Sequence, residues 1–113
     1  MLTALDDNNY ATYWVLENGG VVVGNVSVVK EWSDWNAGYY WWIQSMFIEP
    51  AHRGKGLVRL LLETVQREAA KANALELRLY VHKDNSAAIS AYLKNGFCPS
   101  DYQIMTMTVA EQA

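Results

Sequence analysis

The sequence has a single cysteine, Cys98, which excludes an internal disulfide framework. With only two histidines beside it, a structural zinc site lacks its usual ligands. Lys and Arg number 9 against 12 Asp and Glu, a formal charge of −3, and no basic cluster exceeds a few residues. Nucleic acid is therefore a poor match as the main partner. No apolar run reaches the length of a membrane span. No Lys or Arg precedes Lys30, so the basic opening of a secretory signal is lacking and a cytoplasmic protein is the expectation. Repeats, low-complexity tracts and linkers are also lacking.

What is present fits one globular domain: 113 residues, 51% hydrophobic and 19% charged. All five tryptophans, Trp14, Trp32, Trp35, Trp41 and Trp42, lie in the first half beside Tyr10, Tyr13, Tyr39 and Tyr40. So many large rings in a small domain point either to a subunit interface or pocket, or to rings sandwiched across neighbouring strands.

Strand character runs from Tyr10 to Leu16, and Glu17-Asn18-Gly19-Gly20 is a hairpin signal. The β-branched run Val21 to Val29 predicts a second strand. After a connection at Ser33 to Gly38, Tyr39 to Ile48 predicts a third, stopped by Pro50. The period then becomes helical: Leu57, Leu60, Leu61, Thr64, Val65, Ala69 and Ala72 predict a helix from about Gly56 to Lys71. Leu75, Leu77, Leu79 and Val81 alternate with polar residues, which predicts a fourth strand with one buried face. Asp84-Asn85-Ser86 can cap a short helix that runs to about Asn95, where Gly96 stops it. Ile104 to Val109 is expected as a final strand. The order implies an α/β sandwich with a mixed sheet.

Chemistry concentrates between Ile43 and Leu62. A strand ends, a tight loop carries Arg53, Gly54, Lys55 and Gly56, and a helix starts at once. Such a junction aims unpaired N–H groups and the positive helix end at one point, which suits a phosphate. Glycines permit the turn and a close approach, and Arg53 and Lys55 add charge. An ordinary strand-to-helix turn with solvated basic residues is the other reading. The spacing matches neither a nucleotide P-loop nor a dinucleotide fold. From spacing alone, Tyr92 is either a core residue or an acid. His52 beside the loop either contacts phosphate or is an exposed loop histidine. Cys98 reads as a small buried residue. Glu31 and Asp34, flanking Trp32 and Trp35, either bind an amine or form a charged hairpin tip.

Arg53-Gly54-Lys55-Gly56-Leu57-Val58 resembles the pyrophosphate signature of the GNAT superfamily, Gln/Arg-x-x-Gly-x-Gly/Ala. Ile43 to Pro50 looks like the strand leading into it, and Asn85 to Phe97 looks like the other half of that family's cofactor site. The second run is most similar to the diamine acetyltransferase-like branch. The resemblance implies a mixed, mostly antiparallel sheet flanked by helices and an N-acetyltransferase that uses acetyl-CoA and no metal. Backbone groups of Met46 and Ile48 would bind the pantetheine arm. Arg53, Gly54, Lys55, Gly56, Leu57 and Val58 would hold the pyrophosphate, Asn85 would contact the cofactor, and Tyr92 would protonate the leaving thiolate. The acceptor would be a primary amine of a small molecule or peptide; a noncatalytic acyl-CoA-binding or assembly module is the alternative.

The chain departs from the family pattern at three places. The first strand and first two helices that usually precede the match are expected to be lacking, with residues 1–9 a short N-terminal segment, 10–109 the acyl-CoA-binding domain and 110–113 a tail. Val58 replaces a small residue. Gln44 stands where diamine enzymes carry an acid. The reduced N-terminus and the crowded aromatic half lead to the expectation of a homodimer around Tyr39 to Trp42.

Overall fold

The computed structural model describes residues 2–7, by their backbone, and 11–110. The chain divides into two compact units, Met1–His82 and Lys83–Ala113. In the first unit β1 spans Leu2–Asp7, β2 Thr12–Asn18, β3 Val21–Ser33 and β4 Gly38–Ile48. A 3-10 turn at Pro50–His52 leads to α1, Leu57–Lys71, and then to β5, Glu76–Leu79. The second unit contains α2, Ser86–Lys94. Among the described residues, no helix is long and apolar enough to cross a membrane.

The sheet order is β1-β2-β3-β4-β5. The first four strands are antiparallel to their neighbours, and β5 runs parallel to β4. This is the mixed, mostly antiparallel sheet with two helices that the sequence predicts. The first hairpin closes through Gly19 and Gly20 at φ 61° and 82°, a left-handed pair that glycine adopts without strain. The second closes through Ser33 to Gly38, so β3 runs on past Val29 to Ser33. Leu2–Asp7 adds a strand in a segment for which the sequence predicts no element, paired with β2.

Cross-strand register puts Trp14, Leu16, Val26, Val28, Trp41, Ile43 and Ile48 on one face, and all seven are buried. Trp14 and Trp41 stack on that face, with ring centroids 6.3 Å apart. With Trp32 against Tyr39 and Trp42 against Tyr80, the rings pair across the sheet, while Trp35 projects at 95% exposure. Helix α1 contacts β3, β4 and β5 and buries Leu61, Leu62, Thr64, Val65 and Ala69. The buried hydroxyl of Thr64 donates to Leu60 O at 2.9 Å. The buried stripe differs from the expected one: Leu62 is inside, whereas Leu60 and Ala72 are exposed.

Three further expectations are corrected. Residues Ile104 to Val109 form no strand, and Met105, Met107 and Val109 are each more than 85% exposed. Strand propensity needs a ladder to join, and α2 is the only regular element in that unit among the described residues. The expected buried face of β5 is only half-buried at Leu77 and Leu79, because β5 is a four-residue strand at the end of the sheet, paired on one side. Cys98 is exposed; the inward place after Gly96 goes to Phe97, which packs on Tyr92.

Candidate cofactor site

The end of β4 has an irregular ladder. Ser27 pairs with Ser45 and Val28 with Ile43, so Gln44 is an extra residue and forms a bulge. Beyond Ile43, β5 no longer pairs with β4. Glu49 N donates to Val23 O at 2.8 Å. Antiparallel alternation then turns Phe47 and Ser45 toward β3, and Met46 and Ile48 toward the opposite edge. The Ile48 carbonyl confirms this direction, since it accepts a bond from Arg53 Nε on that edge at 3.0 Å. Before the bulge, Tyr39 O faces the β5 side, where it accepts Leu75 N. The bulge therefore switches parity and gives the open edge to Met46 and Ile48. An extended amide-bearing ligand can add to that edge as a strand would.

The loop follows directly. His52 N donates to Glu49 O, and Arg53 N to Pro50 O. Gly54 and Gly56 take φ 79° and 76°. A Cβ at either would meet nothing within 4 Å, so backbone conformation demands glycine here and crowding does not. The first α1 bond runs from Leu60 N to Gly56 O. The N–H groups of Leu57, Val58 and Arg59 thus precede any intrahelical acceptor. No side chain caps this terminus and no acidic residue lies in its first turn. Unpaired donors and the positive helix end together are an arrangement that can receive an anion.

Arg53 is not the freely solvated cation of the ordinary-turn reading. Its Nε is held by Ile48 O, and its Cζ lies 5.8 Å from the Phe47 ring centroid. Its charge is thereby fixed between strand end and loop. Lys55 is exposed, and Leu57 and Val58 are half-buried. His52 Nδ1 lies 3.4 Å from Glu49 Oε2 but makes no hydrogen bond, so the contact is one of proximity.

In the second unit, Asn85 is the N-cap of α2, with Oδ1 accepting from Ala88 N at 3.1 Å. Its Nδ2 remains as a donor. Tyr92 is half-buried with its ring edge-on to Phe97 at 5.7 Å. Burial raises its phenol above the ordinary value of 10, which keeps it protonated at neutral pH. The structure thus joins Met46, Ile48 and Arg53 to Val58 in one continuous strand–loop–helix, and Asn85 and Tyr92 on one short helix. Sequence reasoning missed the Gln44 bulge, which leaves no signal in residue type. It also missed Arg78, whose guanidinium lies 3.5 Å over the Tyr40 ring; the spacing Glu76-x-Arg78 on a predicted strand was the available sign.

Comparison with known proteins agrees with this geometry. The model of the acetyltransferase (GNAT) family matches residues 1–97. A solved structure of a possible acetyltransferase from Clostridium difficile 630 superposes with a TM-score of 0.87 at 30% identity, covering 93% of this chain and 70% of that one. A spermidine N(1)-acetyltransferase from Thermoplasma acidophilum is 38% identical over 56 residues, 50% of this chain and 35% of the relative. An L-methionine sulfoximine/L-methionine sulfone acetyltransferase from Salmonella typhimurium is 32% identical over 83 residues, 74% of this chain and 48% of the relative. The chain thus spans half or less of the length of these curated relatives. An aminoglycoside N-acetyltransferase solved in complex with CoA shares the fold, with a TM-score of 0.78 at 16% identity, over 91% of this chain and 79% of that one. The chain belongs to the GNAT acetyltransferase family.

Proposed function

We infer that the protein is a cytoplasmic N-acetyltransferase that moves an acetyl group from acetyl-CoA to a primary amine by direct attack. One observation carries this reading: a bulged, open β4 edge continues through two left-handed glycines into an uncapped helix N-terminus. Such a junction fits a ligand with an amide-bearing arm and a pyrophosphate, as acetyl-CoA has. Met46 and Ile48 would pair with the pantetheine amides, and one of their N–H groups would polarise the thioester carbonyl. The donors from Gly54 to Val58, with Lys55 and the tethered Arg53, would hold the pyrophosphate. Asn85 Nδ2 would contact the cofactor. The amine nitrogen attacks the thioester carbon, the C–S bond breaks, and Tyr92 gives its phenolic proton to the departing sulfur. Two matched relatives are named for spermidine and for L-methionine sulfoximine, which supports trying small amine-bearing molecules first as acceptors. Association as a homodimer belongs to the same reading. Its surface would centre on Trp32, Trp35 and Tyr39, exposed at the second hairpin, because Trp41 is taken up in the core.

Calorimetric titration with acetyl-CoA, followed by an amine panel at saturating cofactor, tests the reading. Heat of binding, a raised melting temperature and acetyl transfer to an amine are expected. Binding without transfer to any amine would leave the noncatalytic acyl-CoA-binding module, and no binding would remove both.

A further inference from the structure

The sheet face opposite the buried one carries a ladder of rings and charges. Register places Glu31 beside Tyr40, Tyr40 beside Glu76, and Trp42 beside Arg78. The Arg78 guanidinium lies 3.5 Å over the Tyr40 ring and 5.7 Å from Trp42, which stacks on Tyr80 at 4.5 Å and 25°. Trp42 Nε1 donates to Glu31 Oε1 at 2.9 Å.

The charges on this face do not cancel. Glu76 takes Arg78 Nε at 2.7 Å, and that pair is self-contained. Arg78 reaches Glu31 only as a longer-range charge. Among the described residues, no cation forms an ion pair with Glu31, which is exposed. Tyr80, 63% exposed, gives the stack an open end. An exposed carboxylate fixed to the edge of an indole, beside a bare aromatic surface, suits an organic cation. The carboxylate supplies the ion pair and the rings a cation–π contact.

The position of the ladder decides its use. Ile43–Leu79 is the last rung between β4 and β5, and Tyr80 is the next residue, so the stack ends where the open β4 edge begins. From Trp42 to Met46, allowing for the bulge, is about three pleat steps or roughly 10 Å. We propose that Glu31, Trp42 and Tyr80 form an acceptor subsite for a second cationic group, an ammonium or guanidinium held roughly 10 Å from the nitrogen being acylated. The favoured acceptor is then dibasic, with its two nitrogens well separated. This rests on the reading that the thioester lies at Met46.

The test follows the indole N–H of Trp42 by NMR, assigned through Trp42→Phe, in the full chain without acyl donor. Hexamethylenediamine should move this signal and hexanediol, of the same shape, should not. Glu31→Gln keeps an oxygen for the indole bond and should lose the diamine response. A signal that ignores the diamine, or follows the diol equally, overturns the subsite. With acyl donor, kcat/KM for octamethylenediamine should exceed that for octylamine about fivefold or more in the wild type, with the ratio near one in Glu31→Gln and the difference carried by KM. Equal use of both amines by wild type overturns the acceptor role. Absence of turnover on every amine overturns the acetyltransferase reading instead, while the indole titration still decides the subsite.

Discussion

The two helices begin in opposite ways. At α2, Asn85 folds its side-chain oxygen onto Ala88 N and satisfies one of the terminus's own donors. At α1, Gly56 has no side chain to offer, no other residue caps the turn, and no acid neutralises it. A capped terminus is a local stability device, worth about 1 kcal/mol. A 15-residue helix started from glycine forgoes that stabilisation and leaves its first donors and the positive end of its dipole uncapped. On the proposed reading, α2 is a helix that is held and α1 a helix that holds.

Substitutions on the two helices test this contrast. The largest effect is expected on α2, in chemistry. Tyr92→Phe should lower kcat about a hundredfold while acetyl-CoA affinity stays nearly constant. An active wild type whose Phe variant keeps full turnover would remove Tyr92 from the reaction. Because burial raises the Tyr92 phenol, its proton is held more tightly folded than unfolded. The associated stability is present below the unfolded value of about 10 and fades as pH rises through the higher folded value. The alkaline limb of the rate should likewise lie above about pH 10, and Tyr92→Phe should abolish it.

On α1, Gly56→Val puts a branched side chain at φ 76°. The strain is about 1–2 kcal/mol and should shift the loop. Acetyl-CoA affinity should fall about tenfold or more, read by calorimetry. Asn85→Ala is the matched change on α2. It should cost about 1 kcal/mol of unfolding free energy through the lost cap. An effect as small as the Asn85 one is expected at Val58, half-buried in the first turn of α1. Val58→Ala should tighten acetyl-CoA binding about fivefold, or about 1 kcal/mol, if the branched side chain crowds the pyrophosphate. Lower melting temperature without tighter binding would instead make Val58 a packing residue.

The loop was legible in sequence because its demands are written in residue type. Gly54 and Gly56 are the residues for left-handed conformations, and the switch from alternating to helical periodicity marks where α1 starts. Asn85 was legible as a cap for the same reason. The Gln44 bulge was not, since it is a mismatch between two strands and either strand alone reads as regular. The tether on Arg53 was not legible either, because its partner is a backbone carbonyl, which every residue carries. The run Ile104 to Val109 has strand composition but no ladder to join, and composition alone does not reveal the partner.

The most direct test is an amide NMR titration of the whole protein with inorganic pyrophosphate. If the bare α1 terminus is the anion site, the amides of Gly54, Gly56, Leu57 and Val58 move together along one binding curve that weakens as salt rises. In the same titration the amides of Ala87 and Ala88, in the first turn of α2, stay in place. Stationary loop amides, or equal movement at both termini, would contradict the assignment of α1 as the helix that holds the cofactor.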